Sequence, residues 1–158
     1  MKSWFGKGLA AKLAPKLALL AGLIMLLGQP AAAQVPDPFA RQLAQQLARS
    51  ETILGERGYQ RVAGPFAGGM PARLNRRFQL TLRAGQSYEI IGVCDARCRN
   101  LDMRVFDAND ALVGEDVLTD DVPVVNIRPR FTGLYTVEVT MPQCAASPCF
   151  FAFNVYAR

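Results

Sequence analysis

The chain has 158 residues, 51% of them apolar, with 18 Lys and Arg against 13 Asp and Glu and no histidine. That length suits one domain around one core, and the lack of histidine excludes imidazole triads and dyads and most zinc hydrolases. The formal charge of +5 is not a nucleic-acid signal, because Lys2, Lys7, Lys12 and Lys16 fall in the first 33 residues with no acidic residue, leaving 14 basic against 13 acidic side chains beyond them.

The N-terminus carries those lysines, then an apolar run from Leu17 to Leu27, then Gly28-Gln29-Pro30 and Ala31-Ala32-Ala33. This is the order of a secretory signal peptide, with cleavage expected near Ala33. The apolar run is too short to span a bilayer, so the mature chain, from Gln34, is expected to lack a membrane span and to be periplasmic or secreted.

Residues 34–58 are read as an N-terminal helical segment, with the helix itself over 38–57. Pro38 suits a first turn, and Phe39, Leu43, Leu47 and Leu54 recur at helical spacing between Arg and Gln residues. Gly55 and Gly58 are expected to end it. The stripe has two readings: it packs on the following domain, or it docks on an envelope protein partner through those four residues. Residues 59–72, with Gly64-Pro65, Gly68-Gly69 and Met70-Pro71, are read as a linker or a first edge strand.

From Arg73 the period shortens to two. Phe78, Leu80 and Leu82 alternate with polar residues, and Ala84-Gly85-Gln86 is a turn. Tyr88 to Val93 follows, then Leu101 to Phe106, a turn at Asp107 to Asp110 and a strand near Leu112. Val122 to Ile127, Gly133 to Met141 and Cys149 to Tyr156 complete the series. Short alternating runs with regular turn signals predict an antiparallel β-sandwich over 73–158. Within the last run, Phe151 and Phe153 share a face and Phe150 points the other way, where it is expected to be exposed. Arg73, Arg76 and Arg77 read as a solvated strand edge.

In an exported chain the cysteines Cys94, Cys98, Cys144 and Cys149 are expected to form two disulfides. The favoured pairs are local, Cys94 with Cys98 and Cys144 with Cys149, each bracketing a turn, and cross-pairing is the alternative. Zinc prefers other spacings and histidine partners. Redox chemistry prefers C-x-x-C at a helix start.

The ordered stretches F-Q-L-T-L-R-A-G-Q-S-Y-E-I-I-G, N-L-D-M-R-V-F-D-A-N-D-A-L-V and F-T-G-L-Y-T-V-E-V resemble the bacterial pre-peptidase C-terminal domain family over residues 73–157. The resemblance implies a jelly-roll-like sandwich and a non-catalytic role. Family members are commonly appended to secreted proteases, and some relatives bind collagen and calcium. This chain carries no protease domain and adds two cysteine pairs, which implies a stand-alone exported subgroup.

Calcium is the one cofactor considered, with Asp107, Asp110, Asp116 and Asp121 as its candidate ligands, since calcium takes several oxygens from flexible loops. The bland reading is that Asp107-Ala108-Asn109-Asp110 is a turn whose side chains cap backbone N–H groups. Asp102 is expected to meet Arg104 or Arg128. No serine stands in G-x-S-x-G, and no enzyme activity is expected. Tyr88, Tyr135 and Tyr156 read as core or corner residues before they read as a sugar platform. The composite reading is an exported, non-catalytic binding or accessory module for a protein or polysaccharide ligand. The alternatives are a structural component of a cell-envelope assembly, and a calcium-dependent adhesion or carbohydrate-binding module.

Overall fold

In the computed structural model, which describes residues 34–158, one helix precedes eight strands: α1 (Asp37–Glu56), β1 (Gln60–Met70), β2 (Asn75–Leu82), β3 (Tyr88–Cys94), β4 (Cys98–Phe106), β5 (Leu112–Asp116), β6 (Val124–Ile127), β7 (Gly133–Cys144) and β8 (Cys149–Ala157). The strands form two antiparallel four-stranded sheets, ordered β1-β8-β3-β6 and β2-β7-β4-β5. Consecutive strands therefore change sheet, except across the β4–β5 hairpin. This is the winding of an eight-stranded jelly roll.

Between the sheets lies a single apolar layer, with Ile90, Phe151, Phe153 and Val155 from one sheet facing Leu101, Met103, Val105, Val137 and Val139 from the other. The period of two in β4 and β7 follows from this arrangement, because their opposite face is polar. The sequences Tyr-Glu-Ile-Ile-Gly-Val-Cys and Cys-Phe-Phe-Ala-Phe-Asn-Val-Tyr-Ala of β3 and β8 do not alternate, and every residue in both strands is buried. They are the central strands of a sheet covered on both faces.

The second cover is α1. Leu43 and Leu47 pack with Val93, Phe150 and Ala152, and Leu54 packs with Tyr59, Ile91 and Tyr156. Phe39 stacks on Phe150 with ring centroids 4.8 Å apart. Phe150 is thus not a sticky exposed ring, as alternation alone suggested, but the floor of the helix. Of the apolar stripe, Leu43, Leu47 and Leu54 are likewise buried within the chain and so are not available to an envelope partner, while Phe39 is half-buried.

Local chemistry sets the helix ends. Asp37 in the first turn faces the positive end of the helix dipole. Gly58 takes φ +81°, its N–H donates to the Gly55 carbonyl, and the Tyr59 N–H donates to the Leu54 carbonyl. This is a Schellman motif, with Tyr59 on Leu54 as its apolar contact. Gly58 therefore ends the helix while Gly55 lies inside it. The segment 59–72 holds β1, an edge strand paired only with β8, whose register shifts twice around Gly64-Pro65. The sandwich begins there, at Gln60 and not at Arg73. Proline and register shifts on an edge strand deter pairing with foreign strands.

The sheets approach each other where β5 meets β6. A Cβ on Gly114 would lie 2.5 Å from Ile127 Cγ2 and 3.0 Å from Val125 Cγ1. Replacing Gly114 with Ala is expected to destabilise the protein by about 1–3 kcal/mol through overpacking, visible as a drop of several degrees in thermal midpoint. An unchanged midpoint would show that this edge yields freely.

Candidate functional site

The winding places the loops in two groups at opposite ends of the sandwich. Loops 71–74, 95–97, 117–123 and 145–148 share one end; loops 83–87, 107–111 and 128–132 share the other.

The first end is clamped. Cys94 is bonded to Cys98 and Cys144 to Cys149, the local pairing. Both bridges cross from one sheet to the other, β3 to β4 and β7 to β8, and Cys98 and Cys144 are neighbours in register. Closing such short loops removes little unfolded-state entropy. The clamp therefore acts by joining layers.

Asp95, inside the first disulfide loop, organises this end. Its side chain is 0% exposed, and both oxygens meet the Arg97 guanidinium at 2.9 Å. Oδ1 also accepts the Arg97 N–H at 2.9 Å, and Oδ2 accepts the Phe150 N–H at 2.6 Å. The Arg97 guanidinium lies 4.0 Å from the Phe39 ring centroid, and Gln46 Nε2 donates to the Cys94 carbonyl at 3.0 Å. One carboxylate thus links the disulfide loop, β8 and the helix. Burial raises the Asp95 pKa, but the Arg97 side chain and the two backbone N–H groups outweigh it and hold the group below its ordinary 3.8.

The acidic candidates do not gather into one set. Asp107 and Asp110 lie in the β4–β5 turn, where Asp107 Oδ1 accepts the N–H groups of Asn109 and Ala111 and Asp110 takes φ +56°. Asp116 stands opposite Met103 at the far end of the same hairpin, about 13 Å along the strand from Asp107. It accepts the N–H groups of Leu118 and Val124. Asp121 lies in the loop beyond. Among the described residues, no three His, Cys, Asp or Glu side chains converge on a metal position.

Asp102 faces outward from β4, and its Oδ1 is buried without a hydrogen-bond partner. Burial raises its pKa most, with Asp116 and Asp120 adding to the rise against the opposing pull of Arg104 and Asn100. Of the two arginines expected to meet it, Arg104 pairs with Glu115 at 3.1 Å, and Arg128 lies at the other end, donating to the Gly85 carbonyl. Arg77, read as a solvated edge, pairs with Glu138 at 2.8 Å and stands over the Phe106 ring.

The second end has no covalent clamp and opens as a groove of about 550 Å³ between the β4–β5 and β6–β7 loops. Leu112, Val113, Ile127, Pro129 and Phe131 provide apolar walls, and Arg128, Arg130 and Asp107 the charges. Phe131 is 72% exposed, an unusual degree for a large ring, and Leu112, Val113 and Leu134 are exposed beside it. Tyr135, buried below, donates its hydroxyl to the Phe131 carbonyl at 2.9 Å and so holds the loop that carries the ring. Asp107 is engaged by its turn, and neither Arg128 nor Arg130 forms an ion pair among the described residues. The groove is thus of mixed lining, with apolar walls and a cationic side. Sequence reasoning passed over Phe131 and Arg130 and named Arg128 only as a partner for Asp102, since all three precede the strand and alternation assigns a face only within one. Tyr88 and Tyr156, by contrast, are buried.

These features define an eight-stranded jelly roll, clamped at one end and open at the other, with a helix on one sheet. No family model matches the chain, and no curated protein matches it. Among the described residues no helix is long and apolar enough to cross a membrane, and the signal-peptide expectation for residues 1–33 lies outside them.

Two pH effects of opposite sign follow. Asp95 has a lowered folded pKa, so its contribution is full above its unfolded value near 3.8 and is lost as pH falls through the lower folded value. Asp95→Asn is expected to be less stable than the parent in denaturant titrations at pH 7, with the gap closing as pH falls below 3.8 through the folded value. A gap independent of pH would assign the effect to packing. Asp102 has a raised folded pKa, so its ionised form carries a penalty that is full above that value and relieved as pH falls through it. Asp102→Asn is expected to unfold at a higher temperature than the parent at pH 7, and a lower midpoint would show that the carboxylate has a partner it needs.

Proposed function

We propose that this chain is an exported, non-catalytic binding module that takes its ligand at the open end of the jelly roll. The observation that carries the reading is the exposed Phe131 ring beside a groove whose walls are apolar and whose arginines are not engaged by acidic side chains. Monomeric proteins seldom leave such a surface without a use. Its chemistry suits an apolar group that carries, or sits beside, a negative charge. Two disulfides fit an oxidising compartment outside the cytoplasm. The motif-level resemblance to pre-peptidase C-terminal domains, which are non-catalytic, supports the same reading.

A small probe of matching chemistry tests it. Anilinonaphthalenesulfonate, an aromatic body with one sulfonate, titrated into the purified protein is expected to shift the amide signals of residues 107–113 and 128–135 while leaving those of the disulfide end in place. Phe131→Ser and the double change Arg128→Gln with Arg130→Gln are each expected to weaken binding about tenfold or more. Shifts scattered over the surface, or affinity indifferent to all three changes, would overturn the assignment.

A further inference from the structure

The two ends of the sandwich are complementary. At the clamped end, the β5–β6 loop exposes Val117, Leu118 and Val122, with Leu118 68% exposed. The run from Glu115 to Ile127 contains Glu115, Asp116, Asp120 and Asp121 and no basic residue. The Leu101 N–H donates to the Asp120 carbonyl, and Asp116 holds the N–H groups of Leu118 and Val124, so the loop is fixed and the Leu118 tip projects from it. At the open end, the groove presents Phe131 and Leu112 beside Arg128 and Arg130. An apolar tip followed by Asp120 and Asp121 and a groove with apolar walls and two arginines thus stand at opposite ends of one molecule.

We propose that the occupant of the groove is the 117–122 loop of a second copy of this chain, so that copies associate head to tail. The proposal rests on the groove being a ligand surface and adds what fills it. Charge complementarity favours this occupant: the loop's carboxylates approach Arg128 and Arg130 while Leu118 enters between Phe131 and Leu112. Like ends repel, since acidic loop would face acidic loop and arginine would face arginine, so the contact is heterologous. A heterologous contact that does not close into a ring extends as a line. The ends are separated by the strand length, giving a repeat on the order of 30 Å. One loop in one groove is a small interface, so the association is weak, of micromolar order or weaker, and sensitive to salt.

Sedimentation of the purified protein from about 10 µM to about 1 mM is expected to show an average mass that rises past the dimer without a plateau, and less so at about 0.5 M salt. Leu118→Asp spoils the tip and Phe131→Ser the groove; each alone is expected to sediment as a monomer, while their mixture forms a dimer and nothing larger, because it retains one good tip and one good groove. Both side chains are exposed, and an unchanged thermal midpoint verifies that each variant is folded. A parent protein that stays monomeric throughout, yet still binds anilinonaphthalenesulfonate at the groove, would overturn self-docking and leave the ligand surface standing. Association that persists in either single variant would place the contact elsewhere and also overturn the proposal.

Discussion

A β-sheet whose central strands are apolar on both faces cannot be stable in water with only one face covered. β3 and β8 impose that constraint here: Ile90, Phe151, Phe153 and Val155 face the second sheet, while Val93, Phe150, Ala152, Ile91 and Tyr156 face outward. At about 25 cal/mol per Å² of apolar surface, leaving several large side chains exposed would cost as much as the whole net stability of a small domain. The helix is therefore a third layer of the core, and its removal from the outer face is far less favourable than its sequence position before the sandwich suggests. From this follow the burial of Leu43, Leu47 and Leu54, the half-burial of Phe39 and the fixed position of the helix N-terminus beside the disulfide loop.

That position explains the asymmetry of the ends. The clamped end combines two inter-sheet disulfides, the Asp95–Arg97 pair and the stacked rings of Phe39 and Phe150, with Arg97 over Phe39. These groups support one another, since the guanidinium that neutralises Asp95 also lies on the ring that α1 contributes. A buried carboxylate is tolerable only when so fully partnered. The open end has no such clamp, only hydrogen bonds such as Tyr88 with Gln86 and Tyr135 with Phe131 and the exposed Arg77–Asp110 pair at 3.6 Å. Rigidity is placed at one end and exposed apolar surface at the other.

Much of the frame was legible in the sequence because alternation reports a strand with one wet face. β2, β4 and β7 have such faces and were found with nearly their observed bounds. The helix was legible from its spacing, and the cysteine pairs from their distance along the chain. What alternation could not show was the neighbour on the second face of β3 and β8, so Phe150 looked exposed and the helix stripe could be read as packing on the sandwich or as docking on a partner. Likewise β1, with its Gly and Pro residues, reads from sequence as a linker or as the edge strand that it is. Clustered aspartates suggested a common site, but in a hairpin residues near in sequence can lie a full strand apart, as Asp107 and Asp116 do. The groove escaped notice for a related reason: Phe131, Arg128 and Arg130 meet Leu112 and Val113 only through the jelly-roll winding.

The winding also decides which loops can act together. Because successive strands run in opposite directions, the loops sort by turns to the two ends, and each end collects short segments distant in sequence. The segment 115–127 carries only negative charge and the segment 128–130 carries two arginines, so a boundary one residue wide in sequence becomes a separation of one strand length in space. β6, four residues between Asp121 and Arg128, is the spacer. Two loops of a near-neutral domain thereby carry opposite charge at opposite ends without any net charge to report it. The exposed apolar residues sit with those charges, Leu118 among carboxylates and Phe131 beside arginines, which gives each end a preference for a partner of the opposite kind instead of a general stickiness. The polarity of the molecule is thus a property of chain order threaded through this topology, and the same composition wound differently would not have it.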